Sequence, residues 1–371
     1  MTTANETLES FLKENKDHHY NFEEEVIYKV SSGSLKFDYE LNGGLGPGLH
    51  RFTGINEGGK TSEALEVMKN FLEMPKSRGI YVKAEGRLPK EMRDRCGVPF
   101  AFTEEEWEDG KCFVFESNIY ETVIELIQAL ITDNKENIKY CFVLDSLDGL
   151  IMKDDLNKSF GDAHKVAGGA LLGAKFMQKM SIALVKRGHM AIFISQVRAD
   201  IKLDPYSKAP VRQTTATGGN ALLHFANYIL EFEPRFKKDL ILEAPTQPID
   251  SVKNKILGHN VKVTVKKSPN EKTNYVLEYP IRYGRTGGNS VWVEREVIDM
   301  LYGWEFVHRK GAWITIDPEL QDLLKDGGLE MPEKIHGEPQ LNTFLEEHDD
   351  IRNYLIKYFQ DMLCKFSSDD E

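Results

Sequence analysis

Between residues 49 and 232 the apolar positions fall in short clusters whose period alternates between two and about 3.6 residues. Leu49 to Thr53 has the pattern of a strand, and Ser62 to Leu72 carries Leu65, Met68, Phe71 and Leu72 at helical spacing. Gly79 to Ala84 is a short apolar strand, Leu88 to Cys96 a helix, Cys112 to Phe115 a strand and Tyr120 to Ile131 a strongly apolar helix. Tyr140 to Leu144 and Met190 to Ile194 are buried-type strands on either side of a long helical pattern, Asp162 to Arg187. This alternation predicts βαβ units: an α/β fold with a mostly parallel twisted sheet and helices on both faces. From Tyr228 the period settles at two, in Tyr228–Phe232, then Val261, Val263 and Val265, then Tyr275, Leu277, Tyr279 and Ile281. These predict antiparallel strands extending one edge of the sheet, with Phe236 to Gly258 as a loop or hairpin excursion.

The flanks differ from this core, which spans 34–286. Residues 1–33 predict an amphipathic helix (Leu8, Phe11, Leu12) and a short strand (Val26, Tyr28, Val30). Such an arm is too small to bury a core of its own and must pack on this subunit or on a neighbour, as an oligomerisation arm does. Residues 287–371 predict a small α+β module: a helix over Val291–Gly303, then a hairpin from Trp304–Val307 and Ala312–Ile316. From Glu319 to Glu371 there are fourteen acids against five basic residues, which predicts central helices and a disordered acidic end.

Composition adds little until charge is mapped. The 371 residues are 41% hydrophobic and 29% charged, with no apolar run long enough to cross a bilayer. The polar start, Met1–Glu6, predicts no secretory leader, and four scattered cysteines point to a reducing cytoplasm rather than to disulfides or zinc. The net charge is −12, yet Lys153 to Arg212 holds eleven basic residues against five acids. A basic island in an acidic chain is a candidate nucleic-acid footprint; a solvated helix face gives the same count. His18–His19 has no partner cluster and predicts surface residues, Trp107 a loop anchor, and Met177 and Met180 core.

The chemistry starts at Gly54-Ile55-Asn56-Glu57-Gly58-Gly59-Lys60-Thr61, a G-x-x-x-x-G-K-T phosphate-binding loop. Its glycines turn backbone N–H groups inward around a triphosphate, Lys60 reaches the β- and γ-phosphates, and the Thr61 hydroxyl ligates Mg²⁺. With a strand before it and a helix from Ser62 after it, the loop sits at a helix N-terminus, where the dipole favours an anion. Tyr140–Asp145, followed by Ser146, is an apolar strand that ends in an acid, the arrangement that holds Asp145 where it orients the metal's hydration shell. Glu85 and Gln196 each end a strand, and ligands of α/β sheets bind at strand C-termini. Glu85 is the candidate to polarise water and Gln196 the candidate γ-phosphate sensor; an exposed glutamate and a hydrogen-bonded turn residue fit the same spacing.

With these residues in place, the chain resembles the RecA family of recombinases and its phage branch of UvsX-like proteins. The matching runs are Ser31–Leu35, Gly54–Thr61, Ala84-Glu85 followed by Gly97-Val98, Leu144–Ser146, Gly161–His164, Ser195–Arg198 and Thr215–Leu222. They occur in family order over about Val26 to Gly284, and the T-A-T-G-G-N-A-L run is the most discriminating. The resemblance implies a filament-forming, ATP- and Mg²⁺-dependent DNA recombinase with a RecA-type core, acting on single- and double-stranded DNA. It implies that Glu85 is the hydrolytic glutamate and Gln196 the link from γ-phosphate to DNA, beside Lys60, Ser62 and Asp145. Two DNA loops map to about 153–168 and 198–217, where the basic island lies. Lys165, Arg198, Ile201, Lys202, Lys208, Arg212, Gly218, Gly219 and Asn220 are the implied DNA contacts. Lys267 is the implied cross-subunit contact to ATP, with Pro269 at the family's second basic position. Lys83, Met92 and Pro89 depart from the family pattern, and the stretch after Gly287 matches mainly the phage branch's aromatic hairpin. Competing readings are a ring-forming RecA-core helicase or ATPase, and a DNA-binding scaffold that uses ATP as an assembly switch.

Overall fold

The computed structural model describes residues 3–86, 88–156, 168–199, 214–216, 219–244, 247–250 and 252–366. Helix α1 (Ala4–Glu14) begins with a reciprocal cap: Thr3 accepts the Glu6 N–H, and Glu6 accepts the Thr3 N–H. Its apolar side chains Leu8 and Phe11 are exposed. The expected strand at Val26–Val30 is an extended run with a single bridge, Val30 to Leu45. It lies against the glycine-rich turn before the core, which offers no second strand to pair with. Helix α2 (Leu35–Glu40) follows, capped by the Ser34 hydroxyl; its one and a half turns are too short to show a helical period in the sequence.

The core alternates as the pattern predicts. β1 (Gly48–Gly54), α3 (Lys60–Leu72), β2 (Ser77–Lys83) and α4 (Lys90–Cys96) come first, then β3 (Phe100–Ala101), β4 (Cys112–Phe115), α5 (Tyr120–Thr132) and β5 (Lys139–Asp145). After α6 (Gly168–Lys186) come β6 (Met190–Ala199), β7 (Thr214–Ala216), α7 (Gly219–Phe225) and β8 (Tyr228–Phe232). β9 (Leu240–Leu242), β10 (Ile256–Lys267) and β11 (Tyr275–Arg282) close the series. All pair into one sheet, ordered β11-β10-β8-β1-β6-β5-β2-β4-β3, with β7 on β6 and β9 on β10. Side chains alternate across it: Cys141 and Val143 of β5 pack with α3, whereas Phe142 and Leu144 pack with α5 and α6. Met177 and Met180 are buried in the second of these layers, and Trp107 anchors its loop through an indole bond to the Gly79 carbonyl at 3.1 Å.

The direction of β8 differs from the expectation. Tyr228–Phe232 is parallel to β1, and the antiparallel edge begins one strand later, where β10 pairs with β8. Helix α7 supplies the crossover that makes β8 parallel, and strand direction leaves no mark in a period of two.

The C-terminal segment has a core of its own. α8 (Val293–Gly303), β12 (Val307–Lys310), β13 (Trp313–Ile316), α9 (Pro318–Asp326), β14 (Lys334–His336), α10 (Gly337–Glu347) and α11 (Asp349–Phe366) gather around Leu301, Ile314, Leu341, Leu355 and Phe359. The sheet is three-stranded and antiparallel, β12-β13-β14. The first hairpin strand starts later than expected, because Glu305 adopts a left-handed conformation (φ 59°) and turns Trp304–Phe306 out of the strand. Residues 367–371, the expected disordered end, lie outside the described residues. Among the described residues no helix is long and apolar enough to cross a membrane.

Candidate active site

β1, β6, β5 and β2 are adjacent and parallel, so their C-terminal ends open on one side of the sheet. Register puts Gly54 opposite Gln196 and Lys83 opposite Asp145. A cleft of about 800 Å³ at this edge is lined by Asn56, Glu57, Gly58, Gly59, Lys60, Thr61 and Ser62, and by Glu85, Asp145 and Gln196. Chain topology thus brings together groups that span well over a hundred residues of sequence. Gly54 and Ile55 form the base of the loop outside the cleft lining. Gly54 has φ +140°, and a Cβ there would come within 2.3 Å of the Phe232 carbonyl oxygen, so only glycine fits.

Helix α3 has no side-chain cap, which leaves its first N–H groups for a ligand. Lys60 folds back over the loop, donating to the Gly54 carbonyl at 2.9 Å and to that of Ile55. Burial lowers its pKa, and the nearby carboxylates of Asp145, Asp148 and Glu85 oppose that shift. Asp145 Oδ2 accepts hydrogen bonds from the Thr61 and Tyr81 hydroxyls, both at 2.8 Å. Burial raises the Asp145 pKa, while the two hydroxyl bonds hold it down. The Glu85 carboxylate accepts from the Ser146 hydroxyl, so the residue that follows β5 ties Glu85 beside Asp145. The Gln196 backbone N–H donates to Asp148 at 2.6 Å.

The far end of the cleft is built from other elements: Met92 and Arg95 of α4, with Arg235, His259 and Tyr283. Arg95 donates to the Ser62 hydroxyl at 3.3 Å and Arg235 to the Tyr283 hydroxyl at 2.8 Å. The His259 ring lies 5.4 Å from that of Tyr283, and burial, aided by Arg235, pushes its pKa down to about 4. A neutral aromatic wall beside two guanidinium groups suits a planar base attached to an anionic chain.

Other implied residues stand elsewhere. Lys267 is outside this chain's own cleft; its ammonium donates to the carbonyls of Leu223 (3.0 Å) and His224 (2.7 Å) near the end of α7, where the helix dipole favours a cation. Lys83 pairs with Glu116 at 2.7 Å, and Pro89 stands at the N-cap of α4. Lys165, Ile201, Lys202, Lys208, Arg212 and Gly218 lie outside the described residues. The backbone of Arg198 belongs to β6 and pairs with Thr215 of β7; Gly219 and Asn220 open α7. Since Ala199 pairs with Thr214, the two ends of the 200–213 segment meet just beyond Gln196.

Sequence reasoning missed Tyr81, Arg95, Arg235, His259 and Tyr283. Tyr81 left a signal, because a phenol buried in a strand beside Asp145 needs a partner for its hydroxyl. The last three come from the far edge of the sheet, and only tertiary folding brings them to the cleft.

A model of the RecA N-terminal domain matches residues 10–274. The protein RecA of Mycobacterium avium is 26% identical over 341 residues, covering 91% of this chain and 83% of its own. That of Campylobacter fetus is 26% identical over 297 residues (79% and 76%), and that of Rickettsia canadensis 24% identical over 348 residues (92% and 86%).

Proposed function

The chain belongs to the RecA family, and from that premise we propose that it is an ATP-dependent recombinase that polymerises on single-stranded DNA and exchanges strands with a homologous duplex. RecA-family proteins are DNA-dependent ATPases that form filaments on DNA. The observation that carries the reading is the convergence of Lys60, Thr61, Glu85, Asp145 and Gln196 in one cleft beside the β6–β7 pairing.

In this reading the loop N–H groups and Lys60 hold the β- and γ-phosphates. Thr61 and Asp145 present hard oxygen atoms of the kind Mg²⁺ selects, and the ion, when bound, neutralises charge on the transferring phosphoryl group. Glu85, held by Ser146, orients a water molecule and takes its proton as the water oxygen bonds to the γ-phosphorus and the bond to ADP breaks. Gln196 reports the γ-phosphate to the DNA segments. The net positive charge of 153–212 supports Lys165, Arg198, Lys202, Lys208 and Arg212 as DNA contacts, and Ile201, Gly218, Gly219 and Asn220 join them through the family's loop pattern. Lys267, on an antiparallel strand remote from its own cleft, would reach a neighbour's ATP, and α1, with Leu8 and Phe11 exposed, would be the arm to that neighbour. The 34–286 core and the 287–371 module are the working units. The Gly303-Trp304 run before the β12–β13 hairpin supports a phage, UvsX-like origin, and with it a bacterial cytoplasm.

Phosphate release with and without single-stranded DNA tests the reading. Stimulation by DNA is expected, with Lys60→Ala inactive and Glu85→Gln slowed by about 10²-fold or more while it still binds ATP. Hydrolysis indifferent to DNA, or unchanged in Lys60→Ala, would overturn it.

A further inference from the structure

Immediately after β5 the chain makes a 3₁₀ turn, Leu147–Gly149, anchored by the buried Leu147. Its position is unusual. At one end Gly149 presses on the strand that delivers Glu85: a Cβ on Gly149 would come within 2.8 Å of Glu85 Cγ and 3.1 Å of the Ala84 carbonyl oxygen. In its middle, Asp148 accepts the backbone N–H of Gln196 at 2.6 Å. One turn therefore touches both groups assigned to the γ-phosphate end of the cleft.

The reason lies in the sheet. β5 and β6 pair from Cys141–Met190 to Leu144–Phe193, and there β5 leaves the ladder. β6 runs on to Ala199, so on its β5 side the backbone groups beyond Phe193 lose their strand partner. The N–H of Gln196 is one of these, and Asp148 supplies the acceptor that the ladder no longer provides. A carboxylate is a stronger acceptor for this purpose than a carbonyl. Two cations steady it electrostatically. Arg51, buried in β1, has Asp148 as its leading favourable charge partner and donates to the Ser195 hydroxyl at 3.4 Å, immediately before Gln196. Lys60 also lies within the field of Asp148.

We propose that Asp148 is a positioning residue for the ATPase: by holding the Gln196 backbone N–H where β5 departs, it fixes the height of the Gln196 amide in the cleft and carries its displacement into the β6–β7 hairpin. This inference rests on the role of Gln196 proposed above. A loose strand end would let Gln196 follow the phosphate without moving β6; a tethered one makes the strand end respond as a unit.

The test measures ATPase kcat, KM for ATP and binding of a fluorescent ATP analogue, with and without single-stranded DNA, in full-length Asp148→Ala, Asp148→Asn and Gln196→Ala. Asp148→Ala removes the acceptor, and DNA-stimulated kcat should fall about tenfold, the scale of one lost hydrogen bond to a charged group, while KM and analogue affinity stay within about twofold. Asp148→Asn keeps an acceptor oxygen of the same reach and should recover most of the stimulation. Full stimulation in Asp148→Ala overturns the inference, as does Asp148→Asn behaving like alanine. A loss of kcat, analogue affinity and melting temperature together in Asp148→Ala also overturns it, since that is the mark of a merely structural group. Gln196→Ala separates the two readings: if it retains DNA stimulation the role of Gln196 itself fails, and if it alone loses stimulation only the role of Asp148 fails.

Discussion

A carboxyl group as deep as Glu63 has few ways to exist. It sits in the first turn of α3, 3% exposed, with Oε2 accepting the Tyr279 hydroxyl at 2.7 Å and Oε1 without a hydrogen-bond partner among the described residues. An ionised form there would leave a buried charge uncompensated, so burial drives its pKa well above the ordinary value of 4.5, and Glu66, Asp38 and Glu296 push the same way. Asp38 and Glu296 are themselves buried, with pKa values pushed up to about 6 and about 7. These carboxyls bind their protons more tightly in the folded state than in the unfolded chain. Stability from this cluster is therefore fullest below about pH 4.5 and is lost as pH rises through the folded values. Glu63→Gln keeps the size and the tyrosine bond but cannot ionise. Urea denaturation at pH 5, 6, 7 and 8 should show the variant losing less stability with pH, by up to ~1.4 kcal/mol per pH unit where Glu63 alone titrates. Parallel curves for the two proteins would mean that Glu63 is already ionised in the folded state, its pKa not raised by burial.

At the scale of elements, the helices and strands of the core were legible because each carries a period of its own. Phe142 and Leu144 against Cys141 and Val143 show how a continuous apolar run marks a strand covered on both faces. Legibility failed where structure depends on a remote partner. The direction of β8, the third strand β14 and the Arg235–His259–Tyr283 wall are set by contacts between distant segments, which no local period records. The phosphate loop, Glu85 and Asp145 were readable because each stands at a strand's C-terminal end; Gln196 was readable as the polar group after the apolar Met190–Ile194 run, but it does not end its strand, since pairing with β7 carries β6 on to Ala199. The pairing of β6 with β7 brings the β6 end and the T-A-T-G-G-N-A-L run together, which makes Arg198 the natural place to test for DNA. Arg198→Ala should weaken binding to single-stranded DNA and lower the slope of log affinity against log salt by about 0.7, one phosphate contact on a single strand. Ile201→Ala should retain ATPase yet lose strand exchange if that apolar side chain wedges between bases. DNA binding, its salt slope and strand exchange all at wild-type levels in both variants would remove this loop from the interface.

The whole molecule is held together by a junction rich in charge. Glu294 of α8, 1% exposed, accepts from Arg285 at 2.9 Å and from Arg352 of α11 at 3.3 Å. Arg285 also reaches Glu346 of α10 at 2.9 Å, and the same carboxylate oxygen accepts from the Trp292 indole at 3.1 Å. Arg285 lies on the segment that leaves β11, so its fork links the end of the core's edge strand to α8 and α10, and Arg352 brings in α11 through Glu294. Glu296, next but one along α8, adds a second tie by accepting the Ser34 hydroxyl at 2.7 Å and the Leu35 N–H at 2.8 Å. Among the described residues the apolar clusters of the two sides overlap only at Leu35 of α2, which packs into the C-terminal cluster, and at Val291, which packs into the core, so cooperation between them leans on this junction. Removing Arg285 leaves Glu294 buried with only one of its two cations. A fully orphaned buried charge costs 3–5 kcal/mol, and with Arg352 retained the cost should be roughly 2 kcal/mol. Because that loss falls on the junction, Arg285→Ala should split thermal unfolding into two transitions, the C-terminal segment melting first, and Arg285→Lys should rescue only part of it for want of the bidentate fork. A single transition at the wild-type temperature would show that the module and core are coupled through Glu296 and Ser34 instead.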